Sequence, residues 1–279
     1  MAGADIITDD IIREYAETGV AFIPQALSKS WLKLIELGFN RNMKNPGPYA
    51  KWHYEGHPGA FYDDFCNFWS IPEYRMLLKD SPIGDIMRKV LKTENLWLYY
   101  DQIFLKEAGA GLPTPWHQDT SYWMTAGMQL GSMWITLDEI SAEESLEVIP
   151  GTHLGPMYNA SAFDINDPTK GKYATNELPL LPNINAERER WNIRSWPVKP
   201  GDVLLLHPGV LHGGAPINRE GAQRRTMSVR FFGDDVTYAL RPDTSSPPFW
   251  GVAESHAPGD KLRSPHFPQI RPWNPASTV

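Results

Sequence analysis

A single cysteine, Cys66, stands in 279 residues. That scarcity excludes a disulfide framework and any cysteine-based zinc cluster, and it fits a reducing compartment, so the cytoplasm is the expected address. No uninterrupted run of about 18 apolar residues occurs. The opening stretch MAGADIITDDIIREY lacks a basic region followed by an apolar one, so neither a membrane helix nor a secretory leader is expected. Blocks of Lys or Arg are missing as well. With 26 basic against 33 acidic residues and a formal charge of −7, nucleic acid and anionic membrane surfaces make poor partners. No internal repeat is visible, and the expectation is one domain spanning residues 1–279.

What is present is enough for a packed core: 42% apolar residues, eleven of them Trp, with charged residues held to 21%. Residues 1–94 read as mostly helical. TDDIIREYAETG has Thr8 as N-cap, acids in the first turn and Gly19 as stop, and VAFIP follows as a short strand. A second helix opens at Ser28 or Ser30, and SPIGDIMRKVLK offers Ser81 as cap with Pro82 at the first helical position. From residue 95 to about 240 the texture becomes short aromatic and β-branched runs punctuated by Gly and Pro, the pattern of an antiparallel barrel or sandwich. Residues 155–195 are polar and weakly periodic, an expected insertion over one mouth of that barrel. The Pro-rich residues 241–279 are expected to wrap the outside, and the PPFWG stretch within them serves equally as a free segment or as a homodimer contact.

The chemistry concentrates in TPWHQDTSYW, residues 114–123. Strand side chains alternate, so His117 and Asp119 share a face and can share a cation. A facial metal triad needs one more imidazole. LLLHPGVLHGGAPIN offers His207 and His212, with Pro208 and Gly209 between them signalling a turn; His212 is preferred because Gly213 and Gly214 let backbone crowd around a metal-bound group. His153, in PGTH, ranks third. Twelve residues beyond His212, Arg224 opens RRTMSVRFF, where Arg224, Thr226 and Ser228 share a strand face and would clamp a carboxylate, while Arg225 points outward. Taken singly, each of these has a plain structural reading: a polar pair on a strand, a core histidine, a surface ion pair. Their order along a β-rich half argues against coincidence.

With DQIFLKEAG, TPWHQDTSYW, WITLDEI, LEVIPGTH, GDVLLLHPGVLHGGAPIN and RRTMSVRF in that order over residues 95–233, the sequence resembles the phytanoyl-CoA dioxygenase family of non-haem iron, 2-oxoglutarate-dependent oxygenases. The resemblance implies a mainly β fold with flanking helices, a double-stranded β-helix or jelly roll. It implies that His117, Asp119 and His212 hold Fe(II), that Arg224 anchors the distal carboxylate of 2-oxoglutarate, and that Gln102, Trp134 and Thr152 line the co-substrate pocket, to which the strand face of Arg224 adds Ser228. Some family members add a basic residue from the N-terminal third, for which Lys51 is the candidate.

The implied reaction takes O2, Fe(II) and 2-oxoglutarate and oxidises a C–H bond of a small-molecule substrate, with release of succinate and carbon dioxide. Related halogenases replace the triad carboxylate by a small residue; Asp119 therefore favours hydroxylation. Two other readings stand beside this one: a jelly-roll binding protein without turnover, and a hydrolase or isomerase using the same ligands with another metal. An intact triad weighs against the first and Arg224 against the second. Substrate contacts are expected from Tyr122, Trp123, Met124 and residues 155–195. His53 and His57 read as ordinary loop histidines.

Overall fold

The structure, a computed structural model, describes residues 4–53, 55–56, 60–107, 113–164, 166–175, 177–217 and 222–275. Helix α1 (Asp9–Thr18) begins where the Thr8 hydroxyl accepts from the Ile11 N–H at 3.3 Å, and it ends at Gly19, whose φ of 75° is a left-handed cap. A Cβ at Gly19 would also stand 2.7 Å from the His153 ring. Strand β1 (Val20–Ile23) leads to α2 (Lys29–Lys44), which has Ser28 at its cap position. Then come β2 (Lys51–His53), β3 (Phe61–Phe65), α3 (Pro72–Asp80) and α4 (Ile83–Val90). The last helix starts one residue later than the sequence suggests: Pro82 occupies the cap and Ser81 lies outside.

The remaining strands are β4 (Leu96–Glu107), β5 (Thr114–His117), β6 (Thr125–Ala126), β7 (Leu130–Thr136), β8 (Leu146–Ile149), β9 (Val203–Leu206), β10 (Leu211–Gly214), β11 (Gln223–Phe232) and β12 (Thr237–Tyr238). After the short helix α5 (Val252–Ser255), β13 (Gln269–Arg271) and β14 (Trp273–Asn274) complete the chain. One large sheet runs β1-β9-β7-β11-β4-β13-β14, and the β2–β3 hairpin also pairs with β4. A second sheet, β5-β10-β8, faces it, and β6 pairs with β12. These two facing antiparallel sheets form the jelly roll. The large sheet takes β1 to β3 from the first third and β13 and β14 from the tail.

Period-two alternation decides what each face does. On β11, Met227, Val229 and Phe231 are buried with Ile103 and Leu105 of β4, Met133 and Ile135 of β7, and the helices' Ile12, Ile35, Leu77 and Ile86. Burying each such side chain contributes about 1.5–3 kcal/mol. The opposite parity, Arg224, Thr226, Ser228 and Arg230, turns into the space between the sheets. The tail packs inward rather than merely wrapping: Phe249, Val252, Leu262 and Phe267 close a core with Trp97, Tyr99 and Trp123.

Candidate metal and co-substrate site

β5 and β10 pair so that His117 and His212 are Cα partners, which sets their rings 4.2 Å apart, centroid to centroid. β5 stops at His117, and Asp119 opens a 3-10 turn, Asp119–Ser121. The continuous strand expected through the H-x-D pair is therefore corrected: the turn, not strand alternation, swings the carboxylate round. Asp119 Oδ1 lies 3.5 Å from His117 Nε2, and one ligand atom from each of His117, Asp119 and His212 falls within 4.8 Å of the others.

The residues between and behind the ligands fix this geometry. His117 Nδ1 is 2.8 Å from the Pro115 carbonyl and His212 Nδ1 is 3.0 Å from that of Val210, so each Nδ1–H donates and each Nε2 keeps a lone pair for a metal. Gln118 is buried with its amide donating to Gly209 O (2.8 Å) and Pro156 O (3.2 Å) and accepting from Tyr158 N (2.9 Å), which locks the turn before His212 against the strand end of His117. Burial, with His117 beside it, pushes His212 down to about 4, so it is neutral at physiological pH as a ligand must be. Burial alone would raise Asp119, but the Arg230 guanidinium holds its carboxyl well below the usual carboxylate range. The neutral His212 imidazole, the Nε2 of His117 and an anionic carboxylate are the donor set that a divalent first-row metal with open positions requires.

A cavity of ≈ 710 Å³ opens from the triad between the sheets. Arg224 lines it, buried, with Nη1 donating to the carbonyls of Glu144 and, at 3.5 Å, Ala215. Burial lowers Arg224 to about 10, which leaves it charged at neutral pH. Ser228 and its cross-strand partners Trp134 and Gln102 lie on the same wall, and Gln102 spends its amide on Asp63 Oδ2 at 2.6 Å. Thr152 does not line the cavity. Its hydroxyl donates to Ile149 O (2.7 Å) and accepts from Leu211 N (2.8 Å), tying β8 to β10, a packing role where a co-substrate contact was expected. Thr152→Val leaves a half-buried N–H without its acceptor and should cost about 1–3 kcal/mol in chemical denaturation; the 2-oxoglutarate requirement should stay within about twofold.

His207 and His153 stand elsewhere. His207 Nδ1 accepts from Gly209 N at 3.1 Å, its ring faces that of His153 at 5.0 Å, and neither lines the cavity. Arg225 points outward to Asp138 at 2.7 Å, as expected. Tyr122 and Trp123 line the cavity, whereas Met124 joins the tail's core. Within residues 155–195, Ser161, Phe163 and Lys172 reach the cavity, and Tyr122 Oη donates to Ser161 O at 2.7 Å.

Residues not singled out by sequence also converge there. Arg230 has the strand parity of Arg224, and Lys106 that of Gln102; Asp63 lies in a hairpin with no motif to announce it. His53, expected as a loop histidine, lines the cavity and bonds Asp63 Oδ1 at 2.5 Å. His57 lies outside the described residues. Lys106 is cross-strand from Arg224, only 3% exposed, and burial with the Arg224 charge lowers it to about 7.

A family model described as phytanoyl-CoA dioxygenase (PhyH) matches residues 15–226. The chain belongs to the phytanoyl-CoA dioxygenase family. A model described as AraC-like ligand binding domain matches residues 187–267. A curated relative from Stutzerimonas stutzeri, described as "Probable alpha-ketoglutarate-dependent hypophosphite dioxygenase", is 27% identical over 161 residues, 57% of this chain and 53% of that protein. The chain thus matches about half the length of that relative. Among solved structures, the alpha-ketoglutarate-dependent carbocyclase SnoK from nogalamycin biosynthesis superposes with a TM-score of 0.73 at 21% identity, covering 96% of this chain and 98% of its own. EctD from S. alaskensis, solved with 2-oxoglutarate and 5-hydroxyectoine, gives 0.63 at 17% identity over 81% and 76%. At these identities the likeness speaks for the fold, and it agrees with the jelly roll of the phytanoyl-CoA dioxygenase family.

Proposed function

We propose that this chain is an Fe(II)- and 2-oxoglutarate-dependent dioxygenase that hydroxylates an unactivated C–H bond of a small or medium-sized organic molecule, releasing succinate and carbon dioxide. The observation that carries the reading is the meeting of His117, Asp119 and His212 in one cavity whose wall also holds buried Arg224. His117, Asp119 and His212 would hold the metal, leaving open positions for a chelating 2-oxo acid and oxygen. When bound, Fe(II) and 2-oxoglutarate would supply the electrons that activate O2, which is the oxidant; the chain binds, orients and shields.

Arg224 receives the distal carboxylate of 2-oxoglutarate through charge-assisted hydrogen bonds, with Ser228 and Trp134 beside it on the same wall. Tyr122, Phe163 and Trp123 wall the other end, which excludes water from a reaction that would otherwise oxidise its surroundings. The chain works as one domain. Among the described residues no helix is long and apolar enough to cross a membrane, and the single cysteine supports a cytoplasmic address. The test is stoichiometric: purified protein given Fe(II), O2 and 2-oxoglutarate should form succinate, and omission or chelation of iron should stop it. Succinate formation that ignores iron contradicts the reading.

Lys106 makes co-substrate binding pH-dependent. Its depressed value leaves it half protonated near pH 7, beside Arg224 and across the strand from Phe61. A bound dianion favours the ammonium form, so 2-oxoglutarate affinity should fall about tenfold from pH 6.5 to 8.5 in calorimetric titration. Lys106→Met should flatten that slope. The ligand-free fold, which binds fewer protons than the unfolded chain between about pH 7 and 10.5, gains stability as pH rises through this window.

A further inference from the structure

The cavity is more cationic than this chemistry needs. A chain of net charge −7 lines it with Lys51, Lys106, Lys170, Lys172, Arg224 and Arg230 against two carboxylates, Asp63 and Asp119. Asp63 is engaged by His53 and Gln102, and Lys170 is paired with Asp164 at 2.6 Å. Arg224 and Lys106 are accounted for by the co-substrate.

Arg230 is accounted for only in part, by the Asp119 carboxylate that it faces. It is 5% exposed, and its guanidinium carbon sits 4.4 Å from the centre of the Tyr100 ring. Among the described residues its Nε has no hydrogen-bond partner: the Asp119 Oδ2 atom stands 3.6 Å away, and Nη1 reaches only Ser228 O at 3.4 Å. Its cross-strand neighbour on β7, Ser132, is 3% exposed, lines the same cavity, and has a hydroxyl equally without a partner among the described residues. A buried polar group left without a hydrogen bond is costly, and two such groups side by side in a cavity wall, one of them on a cation, point to a ligand.

The ligand is not the molecule held by Arg224. Gly214 and Thr114 pack by Arg224, His117 pairs with His212 further along β5, and Asp119 beyond the strand end faces Arg230. The triad therefore lies between the two arginines. A co-substrate running from Arg224 to the triad leaves Arg230 on the opposite side, where the substrate must enter.

We propose that Arg230 and Ser132 form the acid-binding subsite for the substrate, which is an organic oxoanion: a carboxylate or a phosphonate. The inference rests on the oxygenase reading. Lys172, held 5.1 Å above the Tyr173 ring and 5.8 Å from that of Tyr122, and Lys51 on β2 add positive potential to the cavity wall and draw an anion inward.

The experiment uses anaerobic protein loaded with Fe(II) and 2-oxoglutarate, titrated calorimetrically with alkyl and aryl carboxylates, the matching phosphonates, and the neutral amide of each skeleton. The visible band of the loaded wild-type protein, recorded first, reads out the oxygenase assignment separately. In wild type, acids should bind at least tenfold more tightly than amides, and the carboxylate and phosphonate series show which oxoanion is preferred. Arg230→Gln should cut that preference below threefold, and Arg230→Lys should restore part of it. Ser132→Ala, which keeps the arginine, should weaken acids by at least threefold and leave amides unchanged. Equal binding of acids and amides, or a panel in which no acid binds, overturns the proposal. So does an Arg230→Gln protein that loses its band, taken with a Ser132→Ala protein of unaltered acid affinity, because Arg230 would then serve Asp119 alone.

Discussion

Asp119→Ala and His212→Ala should each reduce iron-dependent succinate formation by about a thousandfold or more, the loss expected when several kcal/mol of metal-centred stabilisation disappear. The two variants differ in their side effects. His212 is a buried neutral ring, and its truncation leaves a small cavity and the Val210 carbonyl without a donor. Asp119 is a buried anion with Arg230 facing it at 3.6 Å, so its truncation also strands a cation, a change that costs about 3–5 kcal/mol when a buried pair is broken. Asp119→Asn keeps shape and isolates the loss of charge. His207→Ala is the internal control: its ring lies off the cavity against His153, and succinate formation per folded molecule should stay within about twofold. Equal inactivation by His207→Ala and His212→Ala, in folded proteins, would remove the basis for assigning His212.

Arg224→Ala should raise the 2-oxoglutarate concentration needed for half-maximal succinate formation about a hundredfold, the range for losing a charge-assisted contact to a buried carboxylate. The iron requirement should hardly change, because Arg224 stands on β11 away from the triad and bonds the carbonyls of Glu144 and Ala215 rather than any metal ligand. Arg224→Lys retains the charge but not the planar fork, and it should recover only part of the affinity. A parallel rise in both requirements would mean that Arg224 supports the site as a whole instead of gripping one substrate.

Strand parity made part of this site legible. Arg224, Thr226 and Ser228 could be placed on one face from the sequence because β11 is regular, and the same parity extended two residues would have reached Arg230. The H-x-D pair was recognised by residue type, but its geometry was not: β5 ends at His117, and a 3-10 turn held by the Thr120 N–H on Pro208 O, at 3.1 Å, positions Asp119. His212 was preferred over His207 for the Gly213–Gly214 pair that follows it, whereas the effect of the Pro208–Gly209 turn on facing emerges only when β10 pairs with β5. Thr152 carried a local motif, yet a side chain that bridges two strands looks the same in sequence as one that touches a ligand.

The co-substrate end and the substrate end were hidden for a further reason. Asp63 with His53, Lys106, Lys172 and Pro247 come from four separate segments and share one cavity only through tertiary packing. Scattered basic residues that form no cluster along the chain gather around that space. No local pattern records such convergence.

The most direct test of the metal and co-substrate assignment is anaerobic: add Fe(II), then 2-oxoglutarate, to the protein and record the visible spectrum, with Arg224→Ala alongside. A weak charge-transfer band of a chelated 2-oxo acid, present in the wild type and weakened in Arg224→Ala at equal 2-oxoglutarate, is the predicted result. A folded wild-type protein that gives no band would contradict the assignment of His117, Asp119 and His212 as an iron site.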